Sequence, residues 1–387
     1  MSRDLSKDET GAMKSVAIAL AGWCLCVVSS AVMAGELQLT LPPVVSAVPG
    51  VPIGIYSDNV VLTPTPEAYR FEYACKLGTS EPRRWVVTPA DGDVGEHRLD
   101  VVVKDAEGRV LETGSTVVRV SPREAGAGRK LRLLIVGDSL THATQYPNEL
   151  ARRLSETGNP QWTMLGTHRP GSAKPGVAHE GYGGWTWNAF LTRFAPADAA
   201  GRRTTSPFVF PAADGKSGVF DLPRYFREHC DNQPPDVVLF LLGINDCFGA
   251  NPDDPDARIT DVLRQAETLL GEFRKAAPQA VLAVGLTTPP NARQEAFEAN
   301  YGDRYTRWGW KRIQHRLVQR MLEQFSGREK DGIHLVPTQL FLDPIDGYPA
   351  NNGVHPNAKG YAQIGTSFYC WLKSVEWDSR RSEPEGR

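Results

Sequence analysis

The chain has 387 residues, of which 41% are hydrophobic and 23% are charged. This composition is that of a globular protein, and the length favours more than one domain. A formal net charge of −2 excludes the strongly basic surface that binding to nucleic acid or to an anionic membrane requires. We therefore expect a small-molecule or polysaccharide partner and no nucleic acid.

The first predicted element is an export signal. After an extension over residues 1–12, the sequence MKSVAIALAGWCLCVVSSAVMA places a lysine before an apolar stretch that ends in Val32-Met33-Ala34. This order is typical of a secretory signal peptide cleaved before Gly35, although a retained membrane anchor also fits the apolar run. We expect residues 1–34 to be removed and the mature protein to be secreted or periplasmic, without stable membrane insertion.

The cysteines and histidines predict neither a metal site nor a cofactor. An even number of cysteines follows the signal, which permits disulfides in an oxidising compartment without requiring them. Their positions match no zinc motif, and the histidines are scattered without the spacing of metal ligands. The cysteines concerned are Cys75, Cys230, Cys247 and Cys370.

Residues 35–122 are predicted to form a small β-sandwich of the immunoglobulin-like type, an accessory domain. Short β-rich runs alternate there with Pro, Gly and Asp turns, as in small sandwiches. The runs are ELQLTL, IGIYS, YRFEYA, RRWVVT, HRLDVVVKD and STVVRV. The small, polar and unperiodic residues 123–129 predict a linker, and residues 376–387 a flexible tail.

In residues 130–375, predicted strands alternate with predicted helices, as in an α/β fold with a parallel sheet. Apolar runs at 131–136, 237–242, 280–286 and 333–336 predict buried strands, and amphipathic segments between them predict crossover helices. In the clearest helix, seven apolar residues recur with a period of 3.6 and predict a buried face. They are Ile259, Val262, Leu263, Ala266, Leu269, Leu270 and Phe273.

The first of these strands ends in a candidate nucleophile. In LRLLIVGDSLTH, residues 131–142, Ser139 follows a buried run directly, and open α/β sheets bind ligands at the carboxyl ends of their strands. The local sequence is not the Gly-x-Ser-x-Gly elbow of the α/β-hydrolases. Taken alone, Ser139 is as well explained as a helix cap.

Three later segments supply what a nucleophilic serine needs. They are GYGGWTW at 181–187, LLGINDCF at 241–248 and GVHPNAKGY at 353–361. In acyl transfer a serine attacks the carbonyl, a histidine takes and returns the proton, and N–H groups hold the developing oxyanion. Singly, each segment also has a structural reading as a glycine turn, an Asx turn or a histidine cap. Together they favour catalysis.

These four segments, in this order, resemble the SGNH, or GDSL-type, hydrolase family over residues 130–375. The resemblance implies a flavodoxin-like three-layer α/β/α sandwich and serine esterase chemistry. On the matching motifs, Ser139 is the nucleophile and His355 the base. The oxyanion hole is then formed by the backbone N–H groups of Ser139 and Gly184 and by the side chain of Asn245, with Gly183 as the adjacent alternative to Gly184.

One position departs from the family. The family has aspartate three residues before the histidine, where this chain has Asn352. Either Asp343 or Asp346, a backbone carbonyl, or a Ser–His dyad held by Asn352 then completes the site, unless activity is lost. We expect a working enzyme in which Asp346, followed by the permissive Gly347, folds back toward His355.

The substrate is predicted less directly. The aromatic residues Tyr182, Trp185 and Trp308 near the motifs are candidates for stacking on sugar rings, and an insertion at about 191–235 is placed to wall the site. No broad apolar lid segment indicates long acyl chains. We expect hydrolysis of short acyl esters such as acetyl, on carbohydrate. A lipase-like or thioesterase activity and a degenerate carbohydrate-binding protein are the alternatives.

Overall fold

The N-terminal part of the chain forms two β-sheets. This computed structural model describes residues 37–195 and 203–377. The strands are β1 (Val44–Ala47), β2 (Ile53–Tyr56), β3 (Arg70–Ala74), β4 (Thr79–Glu81), β5 (Arg84–Val87), β6 (Gly95–Lys104) and β7 (Val110–Val120). The first sheet has the order β1–β7–β6–β3 and the second β2–β5–β4. β1 runs parallel to β7, and the other pairs are antiparallel.

Most of the predicted runs are strands, with three differences. The predicted run at 36–41 forms only an isolated bridge between Leu39 and Val61, and β1 and β4 were not predicted. The first helix, α1 (Ser57–Val60), follows β2 directly. The β character of this region is thus observed, and its immunoglobulin-like sandwich arrangement stays a prediction.

The rest of the chain is built on a parallel sheet. Its strands are β8 (Lys130–Gly137), β9 (Gln161–Leu165), β10 (Glu180–Gly181), β13 (Val237–Leu241), β14 (Val281–Gly285) and β15 (Ile333–Val336). The five longer strands lie in the order β9–β8–β13–β14–β15, with the short β10 beside the end of β8, and every pair is parallel. Numbered along the chain this is 2-1-3-4-5, the flavodoxin-like order.

The helices that connect these strands cover the sheet, and a small antiparallel hairpin of β11 (Val209–Pro211) and β12 (Gly218–Phe220) interrupts them. In chain order they are α2 (Ser139–His142), α3 (Gln145–Leu154), α4 (Trp187–Thr192), α5 (Leu222–His229), α6 (Ile244–Cys247), α7 (Asp256–Ala276), α8 (Gln294–Tyr301), α9 (Arg307–Phe325), α10 (Thr338–Phe341) and α11 (Ala358–Ser374).

The predicted parallel α/β core is confirmed. The four predicted strands are β8, β13, β14 and β15, each within about two residues of its predicted ends, and the buried residues of α7 are the seven predicted from periodicity. Strands of this sheet are apolar along their length because helices cover both faces. The predicted linker at 123–129 forms turns, and the described residues make one compact unit by their contacts.

Two further sequence expectations concern export and the cysteines. The predicted signal peptide, residues 1–34, lies outside the described residues. Within the described ranges, no helix is long and apolar enough to cross a bilayer. The four cysteines that follow the signal are free thiols, and three of them are buried.

Candidate active site

Ser139 lies at the carboxyl edge of the parallel sheet, where β8 gives way to α2. Asp138 caps the short helix by accepting a hydrogen bond from the Leu140 N–H at 2.9 Å. Gly137 ends the strand against Thr141 and the carbonyl of Leu241, so any side chain there would collide with both. The tight strand-to-helix turn presents Ser139 as a half-buried residue at the edge where such sheets bind ligands.

A chain of hydrogen bonds joins Ser139, His355 and Asn352. His355 Nε2 is 2.8 Å from Ser139 Oγ, and His355 Nδ1 is 3.1 Å from Asn352 Oδ1. These are the two contacts that a catalytic base needs, one to the nucleophile and one to a group that orients the ring. Asn352 therefore occupies the place of the acid in a Ser-His-acid triad.

The surrounding backbone fixes which way the Asn352 amide points. Its Oδ1 also accepts the backbone N–H groups of Val354, at 3.1 Å, and of His355, at 2.9 Å. A backbone N–H only donates, so the atom facing them and the ring is the oxygen. On the other side of the amide, Asn352 Nδ2 donates to Asn300 Oδ1 at 2.8 Å, which is consistent with this orientation.

This orientation selects the reactive form of the histidine. Because Asn352 Oδ1 only accepts, His355 carries its proton on Nδ1 and leaves Nε2 free to accept the Ser139 hydroxyl proton. In serine proteases, replacing the triad aspartate by asparagine costs about 10⁴ in turnover because the wrong tautomer forms. Here the two backbone donors prevent that failure.

Asp343 and Asp346 are not brought to the ring. The Asp346 carboxylate lies 3.5 Å from Arg83 Nη2 and 3.6 Å from Lys359 Nζ. Asp343 is fully buried, and its Oδ1 accepts the backbone N–H groups of residues 345 and 346. The expectation that Asp346 orients His355 is not supported by this geometry, because two cations hold its carboxylate and Asn352 takes the Nδ1 position.

The surroundings favour a neutral His355. Burial lowers its pKa from the ordinary value of 6.5, and no carboxylate contributes to the shift. A general base must be unprotonated, so activity should persist somewhat below pH 6.5 and fall as the pH drops through the lowered pKa.

Substituting Asn352→Asp is expected to move this acidic limb to higher pH by roughly 1 unit or more, because a carboxylate beside Nδ1 favours the imidazolium. The pH dependence of kcat/KM measures the shift. The matched control is Asn351→Asp, which adds the same charge at the exposed neighbouring residue. An acidic limb that is unmoved in Asn352→Asp, or moved equally in both variants, contradicts this assignment.

Gly184 and Asn245, the other predicted oxyanion donors, lie on two segments that contact each other. Asn245 Nδ2 donates to the Trp185 carbonyl at 3.0 Å, which uses one of its two N–H groups and leaves the other for a ligand. Gly184 has φ of +76°, a backbone conformation that favours glycine. Within the described ranges, no acceptor is bonded to the backbone N–H of Ser139 or Gly184.

Two buried aspartates brace these segments. Asp246 Oδ1 accepts the Trp187 N–H at 3.0 Å, which ties the residue after Asn245 to the Gly184 loop. Burial raises the pKa of Asp138 and of Asp246 to about 7 in each case. Their bonds to backbone N–H groups fit bracing rather than reaction.

The predicted stacking residues are placed differently from expectation. Tyr182 and Trp185 are only 4% and 2% exposed, and their ring centroids are 4.6 Å apart. Both rings thus pack in the core and offer no face to a sugar, so the structure does not support them as binding residues. Trp308 is partly exposed, with the Arg312 guanidinium 5.8 Å from its ring centre.

Two features of the site were not predicted from the sequence. Asn300 comes from α8, and nothing in its local sequence marks it as a partner of Asn352. The second feature is an aromatic cluster, defined as Phe248, Tyr301, Tyr305 and Trp310, which brings Phe248 against three rings from residues 301–310. Among the described residues, no group of three or more His, Cys, Asp or Glu side chains is arranged to hold a metal ion.

A flavodoxin-order sheet with a Ser–His pair and N–H donors at its carboxyl edge defines a serine acyl hydrolase. The family model of the GDSL-like lipase/acylhydrolases matches residues 133–368, and the chain belongs to that family. The resemblance noted in the sequence is thereby confirmed. No curated protein matches the chain.

Carbohydrate esterases are among the solved structures that are similar to this chain. The family 3 carbohydrate esterase of Clostridium thermocellum has 18% identity and a TM-score of 0.41, covering 62% of this chain and 94% of that one. A family 3 esterase from Talaromyces cellulolyticus has 16% identity and a TM-score of 0.39, with 62% and 96% covered. A carbohydrate acetylesterase family member from Sinorhizobium meliloti has 17% identity and a TM-score of 0.38, with 63% and 97% covered.

Proposed function

We propose that the protein is an exported serine esterase that removes short acyl groups, such as acetyl, from carbohydrate. The observation that carries the proposal is the hydrogen-bonded chain from Ser139 through His355 to Asn352. A degenerate binding protein has no need of a histidine held in its reactive tautomer against a serine hydroxyl. These hydrogen bonds therefore favour catalysis over binding alone.

The reaction proceeds in two halves. Ser139 Oγ attacks the ester carbonyl while His355 Nε2 takes its proton, and the oxyanion of the tetrahedral intermediate is held by the N–H donors of Ser139, Gly184 and Asn245. Collapse expels the alcohol, which receives the proton from His355, and leaves an acyl-enzyme. Water then attacks with His355 as base, which releases the carboxylic acid and restores the Ser139 hydroxyl.

The distribution of apolar surface favours a small, water-soluble ester. Lipid interfaces and long acyl chains need a contiguous exposed apolar patch. Among the described residues, the large apolar side chains that are exposed are Val94, Val110, Leu111 and Val219. The first three lie in the N-terminal β-region and the last in β12, so none adjoins Ser139 in sequence or belongs to the site segments.

The aromatic cluster supports a carbohydrate as the alcohol half. The Phe248 ring is 4.0 Å from Tyr305, 5.1 Å from Tyr301 and 5.0 Å from Trp310, centre to centre. Trp310 is buried, whereas the other three rings are partly exposed. Partly exposed aromatic rings offer the flat apolar faces on which sugar rings pack.

The cluster connects the segment that carries Asn245, the proposed oxyanion donor, with the loop that carries His355, the proposed base. Phe248 follows Asn245 by three residues, which puts both on one side of α6. Tyr301 shares a side of α8 with Phe297, four residues earlier, and Phe297 packs directly against Gly353 in the loop that carries His355. A sugar held at Tyr301 and Phe248 would have its ester within reach of the catalytic groups.

Substituting Tyr301→Ala is expected to lower kcat/KM for an acetylated xylo-oligosaccharide, relative to that for methyl acetate, by roughly 3- to 10-fold. This range corresponds to about 0.7–1.4 kcal/mol, which lies within the range expected for the loss of one aromatic contact. Tyr301→Phe should keep most of the preference because it keeps the ring. Tyr69→Ala, which removes a partly exposed tyrosine of the N-terminal β-region, is the control. An unchanged ratio in Tyr301→Ala excludes Tyr301 from glycan binding.

The proposal as a whole is tested with a chain-length series of p-nitrophenyl esters beside acetylated xylan and pectin. We expect acetate to be preferred and acetic acid to be released from at least one polysaccharide. Preference for long chains would instead support a lipase-like or thioesterase activity. Export is tested by N-terminal sequencing of the secreted protein, which should begin at Gly35.

A further inference from the structure

We infer that the N-terminal β-region, residues 37–120, is a working part of the active site, because Asn59 and Arg83 hold the segment from which the loop of His355 emerges. The inference rests on the proposed role of His355 as base. It assigns Asn59 and Arg83 as positioning residues, which act through the loop and touch no substrate. The loop, residues 347–357, is called the His loop below.

Asn59 anchors the chain just before the His loop. It is only 4% exposed, and its Nδ2 donates to the backbone carbonyls of Gln339, at 2.7 Å, and Leu342, at 2.8 Å. Both carbonyls lie at or just beyond α10, in backbone that has left the sheet. Because buried carbonyls need donors, a residue from α1 of the N-terminal region fixes the path of the hydrolase segment.

Arg83 makes the second contact, through charge. Its Nη2 lies 3.6 Å from Asp343 Oδ2 and 3.5 Å from Asp346 Oδ2. Lys359, from the start of α11, lies 3.6 Å from each of the same oxygens. The two carboxylates are thus balanced by two cations, of which one belongs to the N-terminal region. Without Arg83, a fully buried Asp343 carboxylate and its neighbour would share a single lysine.

A third contact reaches the same turn. The Tyr56 hydroxyl, at the end of β2, accepts a hydrogen bond from Gln363 Nε2 at 3.0 Å. Gln363 Oε1 in turn accepts the Asp343 N–H at 3.0 Å. Three residues of the N-terminal region, on β2, on α1 and just before β5, therefore converge on the residues 339–346.

The turn they hold is the base of the His loop. The Gly347 N–H donates to the Asp343 carbonyl at 3.0 Å, and the Asn357 N–H donates to the Gly347 carbonyl at 2.9 Å. Asn357 Nδ2 also donates to the Asp346 carbonyl at 2.9 Å. These bonds close the two ends of the loop on the Asp343–Asp346 turn, and Asn352 and His355 lie between them.

The position of this loop matters for rate more than for binding. His355 reaches Ser139 from a loop, and a displacement of the order of 1 Å between reacting groups can cost about 10²-fold in rate. A shift at the base of the loop moves His355 against Ser139, which β8 and α2 hold independently. Loss of Asn59 or Arg83 should therefore lower kcat and leave KM nearly unchanged.

The test compares two variants with matched controls. Arg83→Ala, at a side chain 45% exposed, is paired with Arg119→Ala, at a side chain 41% exposed that binds Glu96 elsewhere in the same region. Asn59→Ala is paired with Thr40→Val, which removes a buried hydrogen bond of 2.8 Å between the N-terminal region and His315 of α9. Measurements are kcat and KM on p-nitrophenyl acetate well below the thermal midpoint, and amide hydrogen exchange over residues 347–357.

We expect Arg83→Ala and Asn59→Ala to lower kcat by roughly 5-fold or more and to speed exchange in the His loop, while the controls change neither. Arg83→Lys should restore most of the rate because it keeps the charge. Equal kcat and equal loop exchange in each variant and its control would overturn the inference. A wild-type protein that hydrolyses no ester would refute the proposed function instead, and the exchange comparison would still decide the role of Arg83 and Asn59.

Discussion

Replacing Ser139 by alanine is expected to abolish ester hydrolysis, with a fall in kcat of roughly 10⁴-fold or more. The Ser139 hydroxyl is the group 2.8 Å from His355 Nε2, and no other hydroxyl is bonded to that nitrogen among the described residues. Without it, the acyl-enzyme has no atom on which to form. The remaining turnover would be attack by water on a bound ester whose oxyanion is still held by the N–H donors.

The same substitution should leave the fold almost untouched. Ser139 is half buried, and in the part of the chain that the structure describes its side chain bonds only to His355. The thermal midpoint should therefore change by no more than roughly 2 °C. The measurements are kcat on p-nitrophenyl acetate and the thermal midpoint of both proteins. A covalent serine probe, which should label wild type and not the variant, gives an independent check. Retention of more than roughly a few per cent of wild-type kcat would place the nucleophile elsewhere.

Replacing Asn245 by alanine is the prediction with the next largest effect. One N–H of its Nδ2 is fixed by the Trp185 carbonyl at 3.0 Å, which leaves the other aimed independently of the substrate. A donor arranged in advance for charge that develops only in the transition state acts on kcat. We expect kcat to fall by roughly 10²–10³-fold with little change in KM.

Asn245→Asp distinguishes the effect of losing the N–H donor from the effect of losing side-chain volume. The aspartate has nearly the same size, donates no hydrogen bond when ionised, and adds a negative charge where the oxyanion forms. It should therefore be at least as damaging as alanine. An aspartate variant that keeps most of the activity, or an alanine variant that changes only KM, would make Asn245 a packing or substrate-binding residue.

Much of the fold and part of the site could be read from the sequence because the signals are local. The strands β8, β13, β14 and β15 are runs of apolar residues buried on both faces, and the buried face of α7 repeats every 3.6 residues. Ser139 and His355 could be proposed because each lies in a short segment whose residue types are those that acyl transfer needs. Their assignment rests on the resemblance of these segments, in this order along the chain, to the SGNH family.

The orienting group of His355 required the tertiary structure. The sequence led us to expect Asp346 in this role, with Asp343 and Asn352 as the alternatives. What decides among them is charge and donor geometry: Arg83 and Lys359 hold both carboxylates, and backbone N–H groups turn the Asn352 oxygen to the ring.

Burial, which also depends on the tertiary structure, excludes two of the predicted sugar-stacking residues from contact with a sugar. Tyr182 and Trp185 are close in sequence to Gly184, the candidate oxyanion donor, yet their rings pack against each other in the core. The partly exposed rings come from two segments, Phe248 from one and Tyr301 and Tyr305 from the other. No local pattern could bring Phe248 together with the two tyrosines.

The sequence by itself thus determined the main elements of the α/β region, their parallel arrangement and the two candidate reacting residues, because apolar periodicity and short motifs act over a few neighbouring positions. Only the tertiary structure decided how those residues are held. The Asn59 amide and the Gln339 carbonyl it binds are 280 positions apart, and such contacts form only once the whole chain has folded. Hydrogen-bond donors and charges select their partners by distance in space, which the order of residues along the chain does not give.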